Sequence, residues 1–232
     1  MGLEWSDLWL MAAILFDLDG TLAHTDAIHF AIWQDILQPY GLTIDRETYD
    51  ATFSGRLNVD IIADILPQLS AEAGKQLSDR KEQQFRQRAT RDLAPLPGLE
   101  ALLQWTEGQD VARGVVTNAP AANANFMIDA LGLRPWFATI VISEHLPQGK
   151  PHPLPYQTGL KNLGIAANET LVFEDSPSGI RSAVGAGILT IGITTTHSPQ
   201  TLRQAGAAHT IADFEDVALP PILNAFAASV VS

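Results

Sequence analysis

The chain has 232 residues, no cysteine, and 14 lysines and arginines against 26 aspartates and glutamates, which gives a formal charge of −12 at pH 7. This charge argues against a nucleic-acid partner, because such a protein needs a basic surface to neutralise phosphates. The absence of cysteine excludes disulfide scaffolds, thiolate zinc sites, cysteine nucleophiles and iron–sulfur clusters.

The amino-terminal segment gives no indication of a targeting signal or a membrane span. The first lysine or arginine is Arg46, whereas secretory signals and transit peptides carry basic residues near their start. The longest apolar run, from Leu8 to Phe16, is much shorter than the roughly 20 residues that cross a bilayer. We therefore expect a cytoplasmic protein with no membrane partner.

Short apolar runs that end in polar residues alternate with amphipathic stretches of helical length. The runs are Ala12–Phe16, Val115–Val116, Ile140–Ile142, Leu171–Phe173 and Thr190–Ile193, and the helical stretches are Leu99–Trp105, Ala121–Leu131, Leu154–Leu163 and Ile180–Ala186. Continuous apolar runs are typical of strands that are buried on both faces of a parallel sheet. The pattern predicts an α/β fold, a doubly wound Rossmann-like parallel sheet.

The segment after the first strand breaks this alternation. Its apolar residues, such as Ile28, Ile32 and Ile36, follow a helical spacing, and no strand-like run separates its helices. We predict an all-helical insertion, a cap domain, at residues 25–92. The catalytic α/β core then consists of residues 1–24 and 93–232.

The sequence Asp17-Leu18-Asp19-Gly20-Thr21 follows the first strand, at the edge where open α/β sheets place their ligands. Side chains two residues apart on a strand share a face, so Asp17 and Asp19 can address one reaction centre. Gly20 permits a sharp turn, and Thr21 offers a hydroxyl to hold the loop. Taken alone, an Asp-Gly turn that only closes a strand explains this motif equally well.

Polar side chains follow three other predicted strands. Thr117 and Asn118 follow the second, Lys150 follows the third after a short loop, and Glu174 and Asp175 follow the fourth. A lysine at this edge could neutralise phosphate charge, and the two adjacent acids point to opposite faces and so take different roles. Each residue has an ordinary structural explanation, such as a helix cap, but four such groups in sheet order are hard to explain in this way.

The spacing of Asp17, Thr117, Lys150 and Asp175 resembles the four motifs of the haloacid dehalogenase superfamily. The resemblance extends from Ala13 to Ile193. It is to the branch with a helical cap, which includes β-phosphoglucomutase and phosphoglycolate phosphatase. The fold that this resemblance implies is the one that the alternation of strands and helices predicts.

The resemblance also implies roles for the acidic residues. Asp17 would be the nucleophile that forms an aspartyl-phosphate and also a metal ligand. Asp19 would be the general acid and base, with its backbone carbonyl as a further metal ligand. Asp175 would be the second side-chain ligand, and Glu174 a ligand or a partner of one. Hard oxygen donors of this kind suit Mg²⁺.

Thr117, Asn118 and Lys150 would hold the transferring phosphoryl group. Dehalogenases of the superfamily lack the second aspartate, so Asp19 favours phosphoryl transfer. We therefore predict a phosphoric monoester hydrolase that is Mg²⁺-dependent. Its substrate would be a small phosphorylated metabolite, with a sugar phosphate as first choice, and we expect a monomer or a weak homodimer.

Candidate substrate-binding residues in the insertion are His29 and Arg56. His29 matches a position that β-phosphoglucomutase uses, although an ordinary helix histidine explains it equally well. The mutase carries an arginine where this chain has Asn58, so we rank mutase activity second. A non-catalytic binding protein ranks third, because a mere binding module would tolerate loss of any of the motif residues.

Overall fold

A computed structural model describes residues 12–53 and 56–230 of the chain. The start of the predicted apolar run, residues 8–11, lies outside the described residues. The chain divides into two compact units, of which one is formed by Thr25–Leu93 and the other by the segments before and after it. Among the described residues, no helix has both the length and the apolar composition needed to cross a lipid bilayer.

The larger unit contains a six-stranded parallel sheet with the strand order β3-β2-β1-β4-β5-β6. The strands are β1 (Ala13–Phe16), β2 (Ala112–Thr117), β3 (Thr139–Ile142), β4 (Thr170–Glu174), β5 (Leu189–Ile193) and β6 (His209–Ile211). From β1 the chain moves outward through β2 and β3, and then crosses to the other side of β1 and continues from β4 to β6. This is the doubly wound order of a Rossmann-like sheet, so the predicted fold class is confirmed.

Helices flank this sheet, and apolar side chains cover both faces of its central strands. The helices of this unit are α5 (Leu99–Gly108), α6 (Ala121–Ala130), α7 (Leu154–Leu163), α8 (Pro177–Gly185), α9 (Pro199–Ala205) and α10 (Leu219–Val230). On one face Leu15 and Val172 pack in a cluster with Tyr156 of α7. On the other, the rings of Phe16 and Phe173 stack with centroids 5.5 Å apart. Burial on both faces explains why the strands are continuous apolar runs.

The smaller unit contains the helices α1 (Asp26–Leu37), α2 (Arg46–Thr52), α3 (Asn58–Ile65) and α4 (Ala71–Asp92). The helix α4 begins at a conventional cap, where the Ser70 hydroxyl accepts a hydrogen bond from Ala73 N. Although α4 is polar overall, it buries Leu77 and Phe85. The ring of Phe85 stacks on His29 of α1, with centroids 4.3 Å apart.

The structure differs from the sequence-based prediction mainly near the carboxyl terminus. The elements β6, α9 and α10 were not predicted. The strand β6 has three residues and α9 is a short, polar helix, whereas α10 is a 12-residue apolar helix that the sequence analysis missed. The helix α8 begins three residues before the predicted Ile180, since the Ser176 hydroxyl caps it by accepting from Gly179 N at 3.0 Å.

Leu202 anchors the helix α9 to the rest of the larger unit. It is fully buried and packs with Ile180 and Ala207. We predict that Leu202→Ala lowers the free energy of unfolding by about 2–5 kcal/mol, because it removes buried methyl groups and leaves a cavity. The matched control is Val217→Ala, which changes stability by less than about 0.5 kcal/mol because Val217 is 83% exposed. Urea unfolding measures both, and an equal loss in the two variants would contradict the packing described for α9.

Candidate active site

The central feature of the larger unit is the carboxyl edge shared by β1 and β4. Phe16 pairs with Phe173, so Asp17 and Glu174 leave their strands side by side. Asp17 N donates a hydrogen bond to Phe173 O at 3.0 Å, which continues the ladder by one residue. This is the point where the strand order reverses, and open α/β sheets bind their ligands there.

Three carboxylates are brought together at this edge. Asp17, Glu174 and Asp175 are all buried and each offers one oxygen that lies within 4.8 Å of the others. Burial raises the pKa of Asp17 to about 7, and the nearby Glu174 and Asp19 add to this effect. Burial and the Asp17 and Glu174 charges also raise the pKa of Asp175 well above its usual range. The cluster therefore requires positive charge nearby.

Lys150 supplies one positive charge from within the chain. Its Nζ donates to Asp17 Oδ1 and to Glu174 Oε1, each at 2.6 Å. Burial by itself would lower the pKa of Lys150, but the Asp17 and Glu174 carboxylates outweigh it and raise that pKa. The ammonium group is therefore held in its charged form between two acids.

The loop that carries Lys150 is fixed by Asn118. The Asn118 amide donates to Lys150 O at 3.1 Å, and its oxygen accepts from Lys150 N at 3.0 Å. These two bonds position the backbone of Lys150, whereas the predicted contact of Asn118 with a phosphoryl group stays a prediction. The carboxyl end of the same loop is held by His152 Nδ1, which accepts from Leu154 N at 3.1 Å.

Glu174 is surrounded by hydrogen-bond donors of the chain itself. Besides Lys150, its carboxylate accepts from the Tyr156 hydroxyl at 3.0 Å, from Ser176 N at 3.2 Å and from Ser176 Oγ at 3.1 Å. A Cβ on Gly179 would lie 1.6 Å from Glu174 Oε1, so only glycine leaves room for this carboxylate. Glu174 therefore holds the Lys150 ammonium, and its expected role as a metal ligand or as a partner of one stays a prediction.

Tyr156 is a site residue that the sequence analysis missed. Its ring lies beneath the Lys150 ammonium, with Nζ 5.0 Å from the ring centroid, while its hydroxyl binds Glu174. Tyr156 is fully buried in α7, where the sequence pattern indicates only a core residue. The one available signal was that a buried tyrosine hydroxyl needs a polar partner.

The loop after Asp17 turns at Gly20, which has a φ of +74°. A Cβ at this position would lie 2.2 Å from Asp175 Oδ2, so Gly20 brings the loop into direct contact with Asp175. The Thr21 hydroxyl is buried without a hydrogen-bond partner among the described residues, so the expectation that it holds the loop is wrong. The loop is held instead by Gly20 N, which donates to Ala23 O at 2.9 Å.

The structure places Asp19 and Thr117 at the same edge of the sheet. Asp19 is half-buried two residues beyond Asp17, and its charge contributes to the raised pKa of Asp17. Thr117 is buried at the end of β2, and its hydroxyl oxygen accepts from Ala119 N at 2.9 Å. This hydrogen bond does not use the hydroxyl proton of Thr117, and the predicted role of Thr117 in phosphoryl binding stays a prediction.

The predicted residues of the insertion belong to networks inside the helical unit. His29 Nδ1 lies 2.9 Å from Lys81 Nζ, and Lys81 in turn pairs with Glu82 at 2.8 Å. The Asn58 amide also donates to Glu82. The Arg56 guanidinium pairs with Asp64, and the predicted substrate contacts of His29 and Arg56 stay predictions.

A profile of the haloacid dehalogenase-like hydrolases matches residues 14–193. The chain belongs to the haloacid dehalogenase-like hydrolase family. The family and the enzyme class predicted from the sequence are thereby confirmed.

Individual relatives and solved structures agree with this family. The chain is 29% identical over 211 residues to the validoxylamine A 7'-phosphate phosphatase of Streptomyces hygroscopicus subsp. limoneus, with 90% of this chain and 96% of that protein covered. It is 29% identical over 178 residues to a fructose-1-phosphate phosphatase of Escherichia coli, and the match covers 76% of this chain and 93% of that protein. The crystal structure of a haloacid dehalogenase hydrolase of family IA, variant 3, from Entamoeba histolytica matches this chain with a TM-score of 0.84 and 27% identity. The match covers 94% of this chain and 100% of that chain.

The crowding of carboxylates predicts a pH dependence for the metal-free protein. Asp17 holds its proton up to about pH 7 in the folded state, whereas its ordinary pKa is 3.8, so unfolding releases a proton between these values. Stability in the presence of a chelator therefore falls as the pH rises from about 4 to about 7. Asp17→Asn removes this contribution, so the variant gains stability relative to the wild type between about pH 5 and about pH 7.5.

Urea unfolding at about pH 5 and about pH 7.5 measures the stability of Asp17→Asn relative to the wild type. The control is Glu107→Gln, a change at an exposed residue that keeps the pH dependence of the wild type. An Asp17→Asn variant whose stability differs from the wild type by the same amount at both pH values would contradict the described electrostatics.

The close contact between Gly179 and Glu174 predicts a sharp difference between two glycines of α8. Gly179→Ala displaces the Glu174 carboxylate and lowers the free energy of unfolding by roughly 1–3 kcal/mol, the usual cost of overpacking. Gly185→Ala places its Cβ at an ordinary 3.5 Å from Pro153, so it leaves stability unchanged or raises it by up to about 1 kcal/mol, the gain of alanine over glycine in a helix. Thermal and urea unfolding measure the stabilities of the two variants. Equal stabilities would show that the Glu174 carboxylate does not lie against Gly179.

Proposed function

We propose that this chain is a Mg²⁺-dependent phosphatase that hydrolyses a small phosphorylated metabolite, a sugar phosphate, through an aspartyl-phosphate on Asp17. The observation that carries the proposal is the Lys150 ammonium, which bridges Asp17 and Glu174 at the switch point of the sheet. In this arrangement the Lys150 ammonium can attract an anionic phosphate ester, and the Asp17 carboxylate beside it can attack the phosphorus.

The donor set of the site fits a hard divalent cation. The carboxylates of Asp17 and Asp175 lie close together, and the carbonyl of Asp19 is the further oxygen that we assign to the ion. Mg²⁺ takes few protein carboxylates and keeps waters and substrate oxygens as its other ligands. When bound, the ion would neutralise charge on the transferring phosphoryl group.

The residues of the chain divide the reaction into two displacements. An oxygen of Asp17 attacks phosphorus, the bond from phosphorus to the leaving oxygen breaks, and Asp19 gives its proton to that oxygen. Asp19 then takes a proton from water, whose oxygen attacks the phosphorus of the aspartyl-phosphate and releases inorganic phosphate and Asp17. Lys150 orients Asp17 through Oδ1, and with Thr117 it holds the oxygens of the phosphoryl group.

The fructose-1-phosphate phosphatase among the relatives supports a sugar phosphate as the substrate. One contact in the helical unit favours hydrolysis over the mutase alternative. At the position where the mutase carries an arginine, the Asn58 amide donates to Glu82. Lys81 pairs with the same carboxylate, so this part of the helical unit offers no excess positive charge for a second phosphate.

We expect Asp17→Asn to abolish phosphate release from an active sugar phosphate in the presence of Mg²⁺, because an amide is not a nucleophile of comparable strength. Asp19→Asn lowers kcat by about 10²–10⁴, the usual contribution of general acid–base catalysis. Glu107→Gln, an exposed change outside the site, serves as the control. A screen of phosphorylated sugars and polyols with the wild type identifies the substrate, and undiminished activity in Asp17→Asn would refute the nucleophile.

The mutase alternative has its own test. Incubation with β-glucose 1-phosphate and a bisphosphate primer yields glucose 6-phosphate if the chain is a mutase. We expect inorganic phosphate without the isomerised sugar phosphate, and formation of glucose 6-phosphate would contradict the proposal.

A further inference from the structure

The loop that follows β5 carries two adjacent threonines that reach the other loops of the site. The Thr195 hydroxyl donates to Gly20 O at 2.6 Å. The Thr196 hydroxyl lies 2.6 Å from Asp175 Oδ2 and 3.0 Å from Asp175 O. Because β5 pairs with β4, this loop lies beside the one that carries Asp175. Neither threonine belongs to the motifs that the sequence analysis singled out.

The hydrogen-bond geometry fixes the direction of the Thr196 bond. A hydroxyl has one proton, and Asp175 with a metal ion bound is an ionised carboxylate, which accepts hydrogen bonds but donates none. The carboxylate oxygen is both the nearer and the charged acceptor, so it takes the Thr196 proton. His197 Nδ1 lies 2.9 Å from Thr196 Oγ1 and 3.2 Å from Asp175 O, and both oxygens can then only accept from it, so we assign the Nδ1–H tautomer.

Thr196 and Gly20 enclose the same carboxylate oxygen from two directions. A Cβ on Gly20 would lie 2.2 Å from Asp175 Oδ2 and 3.2 Å from Thr196 Cγ2. Thr195 anchors the loop to Gly20 O, so the Thr196 hydroxyl has little freedom to leave its acceptor. Asp175 is buried among like charges, and a donor of this kind decides how its carboxylate is oriented.

We infer that Thr196 is a positioning residue for Asp175, and that its hydroxyl orients this carboxylate to bind Mg²⁺ together with Asp17. The inference rests on the metal site of the proposed function. Partners that hydrogen-bond to metal-binding side chains typically change metal affinity by about 10–100-fold when they are lost. Thr196 contacts neither substrate nor phosphoryl group in this role and acts through Asp175 alone.

The test is Mg²⁺ binding to the purified full chain, measured by isothermal titration calorimetry without substrate. We expect Thr196→Val to raise the dissociation constant about 10–100-fold, because valine keeps the shape of the side chain and loses the donor. Thr196→Ser restores the donor and binds within about threefold of the wild type. The control is Thr190→Val, which removes a buried hydroxyl that donates to the carbonyl of Ile188, the residue before β5, and leaves the affinity unchanged.

Activity gives a second measurement. In Thr196→Val the Mg²⁺ concentration for half-maximal phosphatase activity rises by the same factor, and saturating Mg²⁺ restores kcat, which a general structural defect would not allow. Thermal unfolding in chelator checks that the variant folds, and Thr196→Ala replaces it if valine prevents folding.

The outcomes separate this inference from the proposed function. Wild-type affinity in Thr196→Val, or equal loss in Thr196→Ser, overturns the positioning role even if the wild type is an active phosphatase. If the wild type binds Mg²⁺ but hydrolyses no phosphorylated sugar or polyol, the proposed function fails, and calorimetry alone still decides the role of Thr196. A wild type that binds no Mg²⁺ overturns both.

Discussion

Electrostatic repulsion among buried carboxylates is the constraint on which the rest of the site depends. Asp17, Glu174 and Asp175 lie within 4.8 Å of one another, and Lys150 is the ammonium that bridges two of them. Two like charges about 4 Å apart repel by roughly 4 kcal/mol at an effective dielectric constant of about 20. Such a cluster holds together only when protons, lysine or a metal ion compensate its charge. The chain therefore places three of its 26 aspartates and glutamates where their charge requires a cation.

The fold builds this cluster from parts that are far apart in the sequence. Pairing of β1 with β4 brings Asp17 level with Glu174, although 157 positions separate them (174 − 17). Gly20 and Gly179 make room for the carboxylates of Asp175 and Glu174, because a Cβ on either glycine would collide with them. Packing and electrostatics are thus coupled: residues without side chains allow the charged groups to approach.

The sequence predicted much of this site, because strand ends and spaced motifs are local signals. Apolar runs that stop at Asp17, Thr117 and Glu174 indicated both the strands and the edge at which their polar residues meet. The match of the family profile to residues 14–193 confirms that interpretation of the motifs at the level of the family.

What the sequence did not predict depends on contacts between distant residues. Tyr156 follows the apolar spacing of a core helix, and only the structure shows its hydroxyl on Glu174. Thr196 lies in a short polar run that is typical of any loop. The pairing of Asn118 with both backbone groups of Lys150 likewise requires the two loops to be adjacent. The short elements β6 and α9 contain too few apolar residues to produce a periodic signal.

The central claim is that Asp17 carries the phosphoryl group during turnover. The most direct measurement uses Asp19→Asn mixed with an aryl phosphate, whose leaving group needs no proton, and quenched in acid before peptide mass analysis. Without the general base the second displacement slows, so we predict one phosphoryl group on the peptide that contains Asp17. Phosphate release in a burst with no modified peptide, or a phosphoryl group on another residue, would contradict this account.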